Sequence, residues 1–286
     1  MKTILITGAN GQLGSAINKI HSNYSKYNFI FTDREELDIT SQEAVSCLLD
    51  KHNVFAIVNC AAYTAVDRAE SDAELAGKLN SLAPLYLSIE AAKRNIHLVH
   101  ISTDYVFSGK KNTPLSPLDT DKNPVSVYGK TKLEGEKNVI FNAYSYIIIR
   151  TAWLYSETGN NFAKTMLQLG AEKESLNVVY DQIGSPTFAT DLALAIMKAV
   201  DKFSEPQKQI LHYTNEGVCS WYDFAKKVME IGGRNCKVNP ILTSQYPTPA
   251  QRPAYSVLDK QPLKDFLQIE IPHWEDSLKE CIKLLL

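Results

Sequence analysis

The chain has no long apolar run. Nothing in it approaches the roughly 20 consecutive apolar residues that a membrane-crossing helix requires, so no membrane partner is expected. It also has little excess charge of either sign: 30 Lys and Arg stand against 32 Asp and Glu, a formal net charge of −2. That excludes the broad basic field with which a protein grips nucleic acid or an anionic membrane. Cysteine is scarce and scattered, at Cys47, Cys60, Cys219, Cys236 and Cys281. Their number is odd and none forms a C-x-x-C pair, so neither a zinc site nor a disulfide framework is expected, and reduced thiols in a cytoplasmic protein are. No His, Asp and Glu residues recur at metal-ligand spacing, so no metal is expected either. Internal repeats and low-complexity tracts are absent. The segment Met1-Lys2-Thr-Ile-Leu-Ile-Thr-Gly8 is too short and turns too early for a signal peptide, and reads as a strand.

What is present suits a large enzyme-like core. The 286 residues are 44% hydrophobic, enough for one large α/β unit or a large domain with a smaller one. In the first half short apolar runs alternate with helical spacing. Strands are expected at 3–7, 29–32, 56–59, 97–102 and 146–150, and helices at 11–20, 41–51, 69–80, 84–94 and 125–141. Apolar runs without alternation suit a parallel sheet buried on both faces, and repeated β-α units imply a doubly wound α/β sheet. The second half has more loops and prolines, with helices expected at 161–170, 191–200 and 220–231. Ser220-Trp-Tyr-Asp223 resembles a capping box. The division expected is a nucleotide-binding domain over 1–150 and a smaller C-terminal cap over 151–286, with about 176–195 returning to the main sheet. A ligand would lie between cap and sheet.

The run Gly8-Ala-Asn10-Gly11-Gln12-Leu13-Gly14 follows the first strand and opens the first helix. Small residues let the backbone turn tightly and approach a pyrophosphate, which the helix N-terminus attracts. The spacing is G-x-x-G-x-x-G, and it is the order strand, loop, helix that gives it weight. Asp33 ends the second strand, where a carboxylate can bond a ribose 2′-hydroxyl and favour NADH; Arg34 beside it could meet a 2′-phosphate and admit NADPH. The two signals conflict, so both cofactors stay open. Asp38-Ile39 could contact adenine, and Asp38 reads equally as a loop or capping carboxylate. Ala61-Ala62-Tyr63-Thr64-Ala65-Val66 follows the third strand; its small residues allow cofactor passage, and Thr64 could touch substrate.

Chemistry is expected at Tyr128 and Lys132. Four apart on a helix, they project from one face. An ammonium beside a phenol lowers its pKa from roughly 10 toward neutrality and makes it a usable acid or base. Ser102-Thr103 ends a central strand, where a hydroxyl could hold a substrate oxygen against Tyr128, and Thr103 is the better placed. The expected reaction is hydride transfer between nicotinamide and a substrate carbon, with Tyr128 moving the proton, Lys132 supporting it and binding the nicotinamide ribose, and Thr103 orienting the oxygen.

With these motifs the chain resembles extended short-chain dehydrogenases/reductases and, within them, the dTDP-4-dehydrorhamnose reductases. The narrower segments are Thr64-Ala-Val66-Asp67, Asn161-Phe-Ala-Lys-Thr165 and Pro247-Thr-Pro-Ala250 leading to Arg252. The resemblance implies a Rossmann-like fold and reduction of the C4 ketone of dTDP-4-dehydro-L-rhamnose by NADPH or NADH. It places Val66, Asp104, Tyr105, Trp153 and Asn161 with Thr64 and Thr103 at the substrate, and Arg252 at its diphosphate. Trp153 as a packed aromatic and Arg252 as a surface cation are the plainer alternatives. Some members of the family dimerise around magnesium held by glutamates. Ser15 and Thr190 stand where two of those carboxylates would be sought, so a homodimer stays open but a metal-bridged one is not expected.

Three rival readings apply. An epimerase or dehydratase of the same fold is one, but a dehydratase needs an Asp-Glu pair after the strand-end threonine, and Thr103 is followed by Asp104-Tyr105. A regulatory subunit that keeps the cofactor fold is the second. A binding or structural module is the third. The intact Tyr128, Lys132 and Thr103 argue against the last two.

Overall fold

Ile4, Leu5 and Ile6 are fully buried in succession, as are Ala56, Ile57, Val58 and, further on, Ile147, Ile148 and Ile149. Strands apolar on both faces must be covered on both. In the computed structural model, which describes all residues Met1–Leu286, they are. Strands β1 (Lys2–Thr7), β2 (Tyr27–Thr32), β3 (Val54–Asn59), β4 (His97–Thr103), β5 (Ser145–Thr151) and β6 (Lys208–His212) form one sheet in the order β6-β5-β4-β3-β1-β2. Every pair in it is parallel. The longer helices are α1 (Gln12–Ile20), α2 (Gln42–Lys51), α3 (Ala83–Lys93), α4 (Val127–Asn142), α5 (Phe162–Glu172), α6 (Ala189–Asp201), α7 (Trp221–Ile231) and α8 (Trp274–Lys283).

Helices α1 and α6 cover one face of the sheet, where Leu13, Ile17, Leu192 and Ile196 meet Ile4 and Ile6. Helices α2, α3 and α4 cover the other, where Val45, Leu87 and Val139 meet Leu5 and Ile57. Each such side chain contributes about 1.5–3 kcal/mol when fully buried. The chain runs from β1 to β2 on one side, then crosses to lay β3 on the other. The crevice beyond the C-terminal ends of β1 and β3 is therefore the topological switch point, where doubly wound sheets bind ligands.

Residues after β5 build a smaller core of their own, in which Tyr155, Leu167, Phe188, Phe224 and Trp274 pack together. The capping box at Ser220 is present: its hydroxyl accepts from Asp223 N and Asp223 Oδ2 accepts from Ser220 N. The return to the main sheet differs from the expectation for about 176–195. Ser175–Val179 pairs with Lys237–Ile241 in a separate parallel sheet, and the chain comes back only with α6 and β6. Strand β6 escaped the sequence reading because its burial pattern runs from exposed to buried rather than continuously apolar.

The two helices expected at 69–80 and 84–94 are also different. A short helix Val66–Ala69 is followed, after a break at Asp72 (φ −126°, ψ 46°), by Ala73–Gly77, a π turn Lys78–Leu82 and then α3, with helical dihedrals carried through the two joins of the π turn. Proline in an ordinary helix loses one hydrogen bond and crowds the carbonyl four residues back. The wide turn before Pro84 takes it up without ending the helix.

Candidate active site

The glycine loop leaves β1 through a left-handed Gly8, at φ +66°. A Cβ at that position would stand 2.7 Å from the Ala61 backbone, so glycine lets the loop pass close over the end of β3. A Cβ on Gly14 would run into the carbonyl of Gly8 and the backbone of Ala9, so Gly14 is what lets α1 pack on its own loop. Helix α1 then starts at Gly11 with no side-chain cap and no acid in its first turn. Its first N–H groups are left for an anion, which the helix end favours. Asp33, at the end of β2, accepts from Asn10 N at 3.0 Å and from Arg34 N at 2.8 Å, tying the loop to the second strand.

This loop opens into a single cleft of about 1000 Å³ that runs along the C-terminal ends of the strands. Of the expected cofactor contacts, Gly8, Asn10, Gly11, Gln12, Leu13, Asp33, Arg34, Asp38, Ile39, Ala61 and Ala62 line it, as do Tyr128 and Lys132. Gly14 and Tyr63 do not. Gly14 is a packing residue. Tyr63 is turned away, its N–H bonded to Asn80 Oδ1 at 2.8 Å and its hydroxyl donating to Asp72 Oδ2 at 3.2 Å. For Asp38 the loop reading holds: Oδ1 accepts from both Thr40 N and Thr40 Oγ1. Those bonds keep its carboxyl below the usual range.

The other half of the cleft is lined by the residues expected to carry the chemistry. β4 ends in Ser102 and Thr103, both buried, and the N-cap Ser126 starts α4 so that Tyr128 lies in its first turn over that strand end. The Thr103 hydroxyl faces the Tyr128 phenol and donates to Asp104 Oδ1 at 2.9 Å. Lys132, one turn further on, is 2% exposed and donates to the Ile101 carbonyl at 2.6 Å. Burial lowers its ammonium to about 8. The phenol does not follow the expectation that the lysine drags it toward neutrality. Burial pushes Tyr128 up to about 12, the neighbouring Thr103 hydroxyl opposing and the Asp104 charge adding to the rise. A desolvated phenol holds its proton because its charged form loses more from burial than the neutral one.

At the mouth, Trp153 has φ +50°, a conformation that costs a bulky residue strain. Its ring lies flat on Trp221, 3.7 Å between centroids and 13° between planes. A Cβ on Gly184 would stand 2.8 Å from the same ring, so that glycine makes room for it. Trp221 was missed by sequence reasoning; the capping box puts it at the first position of α7, but only the packing turns it into the cleft. Asn161 caps α5 and reaches across to Gln12 Oε1 at 3.0 Å. Arg252 is held in a two-pronged pair with Asp67, at 2.7 and 3.0 Å, and Ala250 N adds a third bond to the same carboxylate. It is not a free surface cation. Thr64, Val66, Asp104 and Tyr105 also line the cleft.

A family model described as the RmlD substrate binding domain matches residues 1–286. The chain belongs to the RmlD family. It is 40% identical over 291 residues to the dTDP-4-dehydrorhamnose reductase of Aggregatibacter actinomycetemcomitans, covering 98% of each chain. Among solved structures, a dTDP-4-dehydrorhamnose reductase from Clostridium acetobutylicum matches this RmlD-family chain with a TM-score of 0.94 at 44% identity, over 99% of both. The Bacillus anthracis enzyme, solved in complex with NADP, matches with a TM-score of 0.94 at 36% identity, again over 99% of both.

Proposed function

We propose that this RmlD-family chain reduces the C4 ketone of dTDP-4-dehydro-L-rhamnose to dTDP-L-rhamnose with NADPH or NADH, the last step of dTDP-rhamnose synthesis. One observation carries the reading: Thr103, Tyr128 and Lys132 share a continuous cleft with an uncapped, glycine-opened helix N-terminus. Its volume is at the upper end for small-molecule sites, as two nucleotides require. The named activity of its relatives supports the substrate.

The residues fit a nicotinamide dinucleotide. Gln12 and Leu13, in the uncapped first turn of α1, offer N–H groups to the pyrophosphate, and Asp33 with Arg34 flanks the ribose. The bound cofactor supplies the hydride. The chain supplies the rest. Tyr128, whose phenol keeps its proton at neutral pH, protonates the carbonyl oxygen; a donor that stays loaded is what a reduction needs. Thr103 orients that oxygen. The Lys132 ammonium, anchored on β4 through Ile101, lends positive potential beside the cofactor. Thr64, Val66, Tyr105, Trp153 and Asn161 border the sugar, and Arg252 stands at the mouth for the diphosphate, already oriented by Asp67. No helix is long and apolar enough to cross a membrane. We place the reaction in the cytoplasm, in keeping with five unpaired cysteines. If two copies pair, they do so without carboxylates at Ser15 and Thr190.

The test is to supply dTDP-4-dehydro-L-rhamnose, made in place by an epimerase, and follow NADPH and NADH absorbance separately. Sugar-dependent oxidation is expected, with the ratio of rates deciding between Asp33 and Arg34. Tyr128→Phe should lose about two to four orders of magnitude in turnover and keep cofactor binding. Cofactor binding with no oxidation by the unaltered protein would overturn the reading in favour of a regulatory subunit.

A further inference from the structure

We propose that Asp104 reloads Tyr128 with its proton, acting through the Thr103 hydroxyl. The inference rests on the reading of Tyr128 as the proton donor. Three side chains form the path: the Tyr128 phenol, Thr103 Oγ1 facing it, and Asp104 Oδ1 at 2.9 Å from Thr103 Oγ1. Thr103 Oγ1 also accepts from Tyr105 N at 3.2 Å. That bond fixes the oxygen and leaves the hydroxyl proton free to swing between its two neighbours. Asp104 is 2% exposed, and its Oδ2 is buried with no hydrogen-bond partner, although the Ser256 hydroxyl is nearby. An incompletely solvated carboxylate of this kind is expensive to ionise.

Burial accordingly raises Asp104 to about 7. Near neutral pH both of its forms are populated, the condition for a group that gives up a proton in each cycle and recovers it before the next. The ionisable groups around it are Tyr105 on its own turn, Tyr128 from α4, and, beyond Tyr105, Arg252 and Asp67. Both phenols are held protonated, and Arg252 and Asp67 neutralise each other. Lys132, lowered to about 8, titrates in the same cleft and has to be told apart by substitution.

The proton balance is simple. When the substrate oxygen takes the Tyr128 proton, a phenolate remains in a site where it is poorly solvated. The Thr103 proton passes to the phenolate as the Asp104 proton passes to Thr103. One O–H bond at Asp104 has broken and the one at Tyr128 is restored; Asp104 then recovers, from hydronium or a buffer acid in the solvent, the one proton that the overall reduction consumes. Nothing is oxidised or reduced in these transfers. Ionised Asp104 draws the Thr103 proton toward itself, and protonated Asp104 sends it toward Tyr128, so the carboxyl sets the direction of the chain.

The experiment is rapid mixing of the NADPH-loaded protein with saturating dTDP-4-dehydro-L-rhamnose, for the unaltered protein, Asp104→Asn and Tyr128→Phe. Asp104→Asn should oxidise its first equivalent of NADPH within about threefold of the normal rate and then turn over roughly 10–100-fold more slowly. The kcat inflection near neutral pH should vanish in Asp104→Asn while the one from Lys132 persists. Without cofactor, carboxyl ¹³C NMR should show one aspartate titrating near pH 7, absent in Asp104→Asn and displaced in Thr103→Val. Asp104→Ser is measured alongside, so that a folding defect in one variant leaves the other to decide. Equal loss in first and later turnovers, or an unchanged pH profile and steady rate, overturns the relay. Normal turnover by Tyr128→Phe overturns the donor assignment itself; an inactive Tyr128→Phe with no burst in Asp104→Asn sinks the relay alone.

Discussion

At the scale of single residues, burial does more than neighbouring charge to set where the groups in the cleft titrate. Tyr128 and Asp104 are both shifted up by desolvation first, and neighbouring groups only modify the result. For Asp104 this has a consequence for stability. Its pKa rises from 3.8 unfolded to about 7 folded, so its favourable contribution is complete below 3.8 and is lost as pH rises through 7. Asp104→Asn mimics the protonated form. The variant should therefore be more stable than the unaltered protein above pH 7, by on the order of 1–4 kcal/mol, with the difference closing toward pH 4. Urea midpoints at pH 8 and pH 4.5 check it; an equal difference at both would contradict the shift. The sequence marked Tyr128, Lys132 and Thr103 correctly as neighbours. It misjudged the tyrosine's pKa, because i, i+4 spacing shows which groups approach and not how much water is left around them.

At the scale of elements, close packing of α4 on the π turn is the sharpest constraint. A Cβ on Gly135 would collide with the Asn80 carbonyl, which is backbone and cannot move aside. Asn80 itself is buried and bonds Tyr63 N, Tyr63 O and Thr131 Oγ1, so it anchors the turn from the other side. Gly135→Ala should cost about 1–3 kcal/mol despite the better helix propensity of alanine, read as a lower denaturant midpoint. A stabilised variant would show that the turn can yield. The break in the expected helix at 69–80 was not readable beforehand. Helical spacing survives a π turn almost unchanged, and Pro84 reads as a helix start because that is where proline is usually tolerated.

At the scale of the whole molecule, a buried ion pair locks the sheet to α4. Arg150, 0% exposed at the end of β5, makes two bonds of 2.7 Å to Glu136 of α4. Its guanidinium also lies over Phe107 and approaches His212 Nε2 of β6 at 3.3 Å. Removing one partner leaves the other charge buried and unpaired, so Glu136→Gln should lose about 3–5 kcal/mol, measured by denaturant unfolding. His212 beside it is held neutral, lowered to about 3 by burial first and then by Arg150. A base with a depressed pKa stabilises the fold above its unfolded value of 6.5, and that contribution fades as pH falls from there toward 3. The melting temperature should decline across that window, and His212→Gln should flatten the decline. A decline unchanged in that variant would assign it to other groups.

The sequence alone determined the parallel α/β architecture, the glycine loop and the strand-end threonine with its tyrosine and lysine. These are local: continuous apolar runs, a turn that only small residues can make, and a four-residue spacing on one helix. Tertiary structure decided what depends on meetings between distant segments. It stacked Trp221 on Trp153, tied Arg252 to Asp67 across 185 residues, and turned Tyr63 away from the cleft. It also dried the pocket around Asp104 and Tyr128, and desolvation, being a property of everything packed around a group, is written in no single stretch of chain.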